Sequence, residues 1–191
     1  LYSASKLAQA ANRVHDAKKW RDQALKIRST AQNELFNEEI NYFYRGIWAD
    51  GNKDPKIDSS SFYGAFMFNL FEFKGKKLQT AFKTLENRFK ANDNIGLTRF
   101  ENDIYYRFSD DYEANIWPIT TLWRAEFYIA LGEISKAEEI IEWVLDQQTS
   151  TGILPEQIDP RDLKHLSVAP LTWSQAEYVS ALLDLVAFKE E

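Results

Sequence analysis

Cysteine is absent from this 191-residue chain, which removes disulfides and thiolate metal sites from consideration. Histidine is nearly absent too: His15 and His165 are too few and too far apart in sequence to suggest a zinc centre. No apolar run approaches the ~20 residues that span a bilayer, so no membrane partner is expected. No signal peptide is expected, the chain has no Asn-x-Ser/Thr acceptor, and the cytoplasm is the expected compartment. Positive charge is in short supply: 23 Lys and Arg stand against 29 Asp and Glu, a net charge of −6. The basic residues are scattered rather than striped, which argues against nucleic acid as a partner. No cofactor is called for by any pattern in the chain.

What the chain has in quantity is aromatic rings: 6 Trp, 9 Tyr and 13 Phe, 15% of all residues. Rings stack on the C–H faces of sugars, and they also fill the space between long helices. Phe62, Phe66, Phe82, Phe89 and Phe127 lie on helical apolar stripes and are expected in the core. Leu1 is not Met, and Leu1-Tyr-Ser-Ala-Ser already reads as the opening of a helix. The chain is expected to be cut out of something longer.

Periodicity predicts seven helices in a single unit spanning residues 1–191. The first, near 4–14, puts Leu7, Ala11 and Val14 on one side. The second, near 17–36, repeats Trp20, Ala24, Ile27, Ala31 and Leu35. Residues 40–48 read as extended and 49–57 as a turn-rich loop. Asp58-Ser59-Ser60 supplies an N-cap for a third helix near 61–71, and a fourth covers 76–90. Pro118 starts the fifth, with Ile119, Leu122, Trp123, Phe127, Ala130 and Leu131 inward, and Gly132 ends it. Ser135 opens the sixth, with Ala137, Ile141, Val144 and Leu145 inward, and the seventh runs 172–189. The fold class is therefore all-α, with long loops at 37–58, 91–115 and 150–171. Loops of that length in a helical domain are commonly functional. Consecutive hairpins would gather them at one end.

Two strings carry the chemistry. The first is Gly152-Ile-Leu-Pro-Glu-Gln157 followed by Pro170-Leu-Thr-Trp-Ser174, in which a proline-restricted backbone leads into the acid Glu156. The second is Leu97-Thr-Arg99-Phe-Glu101-Asn-Asp103-Ile-Tyr105 with Ile116-Trp117-Pro118. Together they resemble the general-base and arginine segments of the glucoamylase family, glycoside hydrolase family fifteen. Gln175 stands where many relatives carry His, and Phe100 where the family often has Tyr. The resemblance runs through nearly the whole chain and is most specific from Gly96 onward. It implies the last seven helices of an (α/α)6 toroid of six-hairpin type, with the active site at one mouth.

The same resemblance implies an inverting, exo-acting hydrolase of α-glucosides, with an oligosaccharide, a dextran-type end or trehalose as substrate. Glu156 would be the base that activates water, and Arg99, Trp117 and Gln157 would contact the sugar. Asp103 would orient Arg99, Ser167 would donate a hydrogen bond to the base, and Trp173 would pack behind it. Arg99 has a simpler alternative as a loop-tying ion pair with Glu101 or Asp103. The acidic run 109–115 lacks the glycine and ligand spacing of a calcium loop and reads as solvated.

The family's general acid lies in a Trp-Glu segment before the helix that Leu1 opens, and nothing in this chain matches it. Glu126 and Glu177 sit within helices and are read as structural. The acid is expected from a preceding segment, so half a ring needs either the N-terminal half of the same domain or a homodimer partner. A different class of function, a non-catalytic helical scaffold, rests on residues 121–138, which faintly resemble a tetratricopeptide repeat. No ~34-residue self-similarity recurs to support it.

Overall fold

The computed structural model describes residues 1–89 and 95–190. The expected end of the fourth helix at Lys90 and the first residues of the loop after it lie outside the described residues. The order is α1 (Tyr2–Ala10), α2 (Val14–Glu34), β1 (Phe36–Asn37), β2 (Tyr42–Phe43), β3 (Gly46–Ile47), β4 (Lys53–Asp54), α3 (Ser59–Met67), α4 (Lys76–Phe89), α5 (Pro118–Leu131), α6 (Ile134–Asp146), β5 (Gln157–Ile158), β6 (His165–Leu166) and α7 (Thr172–Glu190). Among the described residues the architecture is all-α, seven helices forming part of an α/α toroid. The strands are two-residue antiparallel pairs that staple the loops, β1 with β2, β3 with β4 and β5 with β6.

Local chemistry sets the helix ends. Asp58 is extended, and its carboxylate accepts from the backbone N–H of Ser60 at 2.8 Å, capping α3. Pro118 occupies the first position of α5, where its missing N–H costs nothing. Gly132, at φ 78°, closes α5 in the left-handed conformation that favours glycine and turns the chain directly into α6.

At the centre is α5. It packs against α3, α6 and α7, and every residue from Pro118 to Ile129 is buried. A helix buried all round must be covered by neighbours on each side. Phe127 is the hub, with ring centroids of Phe82, Phe62, Phe66 and Phe73 at 4.5, 4.9, 5.1 and 5.6 Å. The five expected phenylalanines all belong to this core, Phe66 as a partly buried member.

Several inward assignments fail. Leu7 and Val14 are each 72% exposed. In their place Ser5 and Ala8 face α2, with the Ser5 hydroxyl donating to the Ala17 carbonyl at 2.7 Å. Small residues let two helices approach closely, so the contact face of this hairpin is the one without large side chains. On α2 only Ala17 is buried, and Ile27 is exposed. Ala130 and Leu145 are exposed as well, since α5 and α6 rotate those positions away from their mutual contact. The extended stretch near 40–48 takes part in β2 and β3 rather than forming one strand.

Each long loop leads into the N-terminus of α3, α5 or α7. They meet there, joined by antiparallel bridges Asp58–Phe100, Thr98–Ile116 and Ile116–Ile158. The segments carrying Arg99, Trp117 and Glu156 are thereby neighbours on one rim.

Candidate active site

Glu156 is held from behind by the first turn of α7. The Ser174 hydroxyl donates to the Pro155 carbonyl at 2.9 Å, and the Gln175 side-chain amide donates to the Leu154 carbonyl at 3.1 Å. Gln175, whose role the sequence leaves open, thus ties the loop to the helix. The Glu156 backbone N–H donates to the Val168 carbonyl at 2.9 Å, pinning the two limbs of the loop together. Across that pairing the Ser167 hydroxyl donates to Glu156 Oε2. Ser167 adopts φ 64°, a left-handed backbone that costs a non-glycine residue about 1–2 kcal/mol. The loop holds the hydroxyl on the carboxylate despite that cost.

Gln157 differs from its expected part. It is 0% exposed, so its side chain has no surface to offer a sugar. Its Nε2 lies 3.5 Å from Glu156 Oε2, and its Oε1 accepts from Asn115 Nδ2 at 2.5 Å. Asn115 also donates to the carbonyls of Tyr105 and Tyr106. An amide relay therefore runs from the arginine loop through Gln157 to the acid. Asn115 was not foreseen, because one asparagine in an acidic loop carries no spacing signal.

Arg99 donates through Nε to Asp103 Oδ2 at 2.8 Å and through Nη2 to Oδ1 at 3.0 Å, a two-pronged pairing that fixes the guanidinium plane. Glu101 is engaged elsewhere, with Arg88 at 2.5 Å and the Ile57 N–H at 2.9 Å. The guanidinium lies over Trp117, 4.4 Å from the ring centroid, and over Phe100 at 4.8 Å. Trp117 is 2% exposed, yet its indole N–H has no hydrogen-bond partner. With Arg99, Phe100, Trp123, Trp173 and Ser60 it lines a cavity of about 180 Å³. Trp173 is 54% exposed and meets Trp123 edge-on at 6.3 Å, so it stands at the cavity mouth rather than packed behind Glu156.

The loop's other charges are spent internally. Asp159 accepts from the Arg161 backbone and guanidinium, and that guanidinium holds the Asp159 carboxyl below its ordinary range. Ser109 donates to Asp111, and Arg107 pairs with Asp110. Among the described residues no group of three or more His, Cys, Asp or Glu is arranged to hold a metal ion.

Glu126 and Glu177, read from the sequence as separate structural residues, are brought together by the fold. Glu126 on α5 is 3% exposed and faces Glu177 on α7, which accepts from the Tyr63 hydroxyl at 3.2 Å. Burial, reinforced by the charges of Glu177 and Asp184, pushes the Glu126 carboxyl up to about 8, and burial raises Glu177 as well. A signal was available: 119, 122, 123, 126, 127 and 130 are one stripe of α5, and Glu126 is the charged residue in it.

No family model matches the chain. An uncharacterized glycosyl hydrolase of Methanocaldococcus jannaschii is 24% identical over 192 residues, 94% of this chain and 29% of that protein. A bacterial glucoamylase complexed with acarbose superposes with TM-score 0.82 at 19% identity, covering 98% of this chain and 32% of that one. A glucoamylase from Saccharomycopsis fibuligera gives 0.74 at 13% identity, covering 97% and 53%. A glycosidase in complex with glucose gives 0.75 at 18% identity, covering 97% and 49%. The fold is thus that of part of the glucoamylase toroid. The chain spans under a third of the curated relative and a third to about a half of these structures.

Proposed function

We propose that the chain is the C-terminal part of the catalytic domain of a glycoside hydrolase related to the glucoamylases, acting on α-glucosides by inversion from the chain end. The observation that carries this reading is Glu156: a partly exposed carboxylate presented where three loops converge, with hydrogen-bond donors on one oxygen. Its loop is bridged through Ile158 and Ile116 to the segment carrying Arg99, whose guanidinium lies over Trp117 at an aromatic cavity. That pairing suits a sugar, whose hydroxyls need fixed donors and whose C–H faces need rings.

In the proposed step, Glu156 takes a proton from a water molecule as that water's oxygen bonds to the anomeric carbon. The bond to the leaving oxygen breaks at the opposite face, and that oxygen is protonated by a carboxylic acid from outside this chain. Two carboxyl groups ~6.5–9.5 Å apart leave room for the water in such a mechanism. Ser167 and the Asn115–Gln157 relay keep the Glu156 carboxylate aimed. Arg99, oriented by Asp103, donates to the sugar hydroxyls, and the buried Trp117 ring backs its guanidinium rather than meeting the sugar itself. The other half of the domain supplies the acid.

The test is glucose release from maltose, isomaltose and trehalose by the complete protein and its Glu156→Gln variant. The variant keeps the shape and removes the basicity, so turnover falls by roughly 10²–10⁴-fold with little change in KM. Wild-type turnover in the variant refutes the role.

A further inference from the structure

The face of α5 and α7 that carries Glu126 is unfinished in a specific way. Glu126 and Glu177 approach each other with no cation beside them, and Glu126 Oε2 has no hydrogen-bond partner although the residue is 3% exposed. Next to them Trp123 stacks on Tyr63 at 4.3 Å. Glu126 and Asp184 line a cleft of about 240 Å³ whose walls are otherwise apolar, including Phe66, Ile129 and Phe188. Beyond it α7 exposes Val179, Leu183 and Val186, while its other side packs on α5.

We propose that this cleft is the seat of a single basic side chain, an arginine or lysine, on a helix of the segment that completes the toroid. The proposal rests on the glycosidase-domain reading above and says which chemistry joins the two parts. The carboxylates do not form a group able to hold a metal ion. Apolar walls around an acidic floor match a side chain with an apolar stem and a cationic head. The occupant comes from the missing part because this chain spans only 29% to 53% of the relatives it matches, and the exposed apolar flank of α7 continues the same surface.

The ionisable groups facing Glu126 are Glu177 and Asp184 on α7 and Tyr63 on α3. Arg124 of α5 is engaged instead with the surroundings of Glu86 and Glu139. The proposal therefore has a signed consequence. Without a cation, Glu126 holds its proton to about pH 8, far above an unfolded glutamate. Stability is then full below the ordinary value of an unfolded glutamate, drains as pH rises from there to about 8, and is level above it. With the cation seated, the carboxylates are ionised and paired, and stability is level across neutral pH.

The experiment is thermal unfolding of the complete protein, wild type and Glu126→Gln, from about pH 5 to 9 and at two protein concentrations. We expect a level wild-type Tm and a variant Tm lower by roughly 5 °C or more at pH 7, because removing one partner strands the buried cation. A wild-type Tm that falls steadily from about pH 5 to 8 and then levels, or a variant as stable as wild type or more so, overturns the proposal. The wild-type curve decides even if the variant does not fold. A Tm that rises with concentration assigns the cleft to a second copy and equally overturns it. No substrate enters the measurement, so failure of the Glu156 role leaves it standing.

Discussion

Glu156 and Glu126 are the same residue type in two opposite settings. Glu156 sits on a loop, partly exposed, with the Ser167 hydroxyl on one oxygen. Glu126 sits mid-helix at 3% exposure against another acid, with one oxygen unpartnered. A carboxylate given donors and solvent can accept a proton during a reaction. One buried against a like charge keeps its proton until a cation arrives. On the two proposals made above, the difference separates a residue fitted for chemistry from one fitted for assembly.

The variants Glu156→Gln and Glu126→Gln sharpen that contrast most strongly. In the complete protein the first should lose roughly 10²–10⁴-fold in turnover at nearly unchanged Tm, since a partly exposed loop acid contributes little to the core. The second should do the reverse, losing stability at neutral pH. Equal effects of the two on Tm would erase the distinction.

Next in size is Arg99→Ala. The side chain sits beside the cavity, over Trp117, and donates to Asp103. Losing its charged hydrogen bonds to a sugar should lower kcat/KM by about 1.5–3 kcal/mol, or roughly 10- to 150-fold. An unchanged kcat/KM would leave Arg99 as a loop tie alone.

The smallest effect belongs to Ser167. Ser167→Ala removes the hydroxyl on Glu156 and keeps the strained backbone; Ser167→Gly removes both. Turnover should fall by about tenfold in each, in line with the loss of one hydrogen bond to a charged group. Relief of the left-handed strain should make the Gly variant the more stable of the pair. If the Ala variant turns over like wild type, the hydroxyl is only a loop contact.

The all-α class and the seven helices of the described residues could be read from the sequence: α4 and α6 carry strong apolar stripes, Asp58 marks the start of α3, and Pro118 and Gly132 mark the two ends of α5. Burial on α1 and α2 could not. Periodicity reports which face is apolar, not whether a neighbour covers it, and Leu7 and Val14 face outward while Ser5 and Ala8 make the contact. At the candidate site, Glu156, Arg99 and Asp103 stand out through local strings. Asn115, 42 positions from Gln157, joins the site only through the folding together of two loops. The part given to Gln157 failed for the same reason: its burial depends on Asn115 and on the bridge between Ile116 and Ile158. Glu126 was visible as a charge in an apolar stripe, but its partner Glu177 lies on another helix.

The central claim is that Glu156 directs water to the face of the sugar opposite the leaving group. The most direct test follows the anomer first released from an α-glucoside by the complete protein, by proton NMR before mutarotation sets in. The account predicts β-glucose first. Initial release of α-glucose would contradict it.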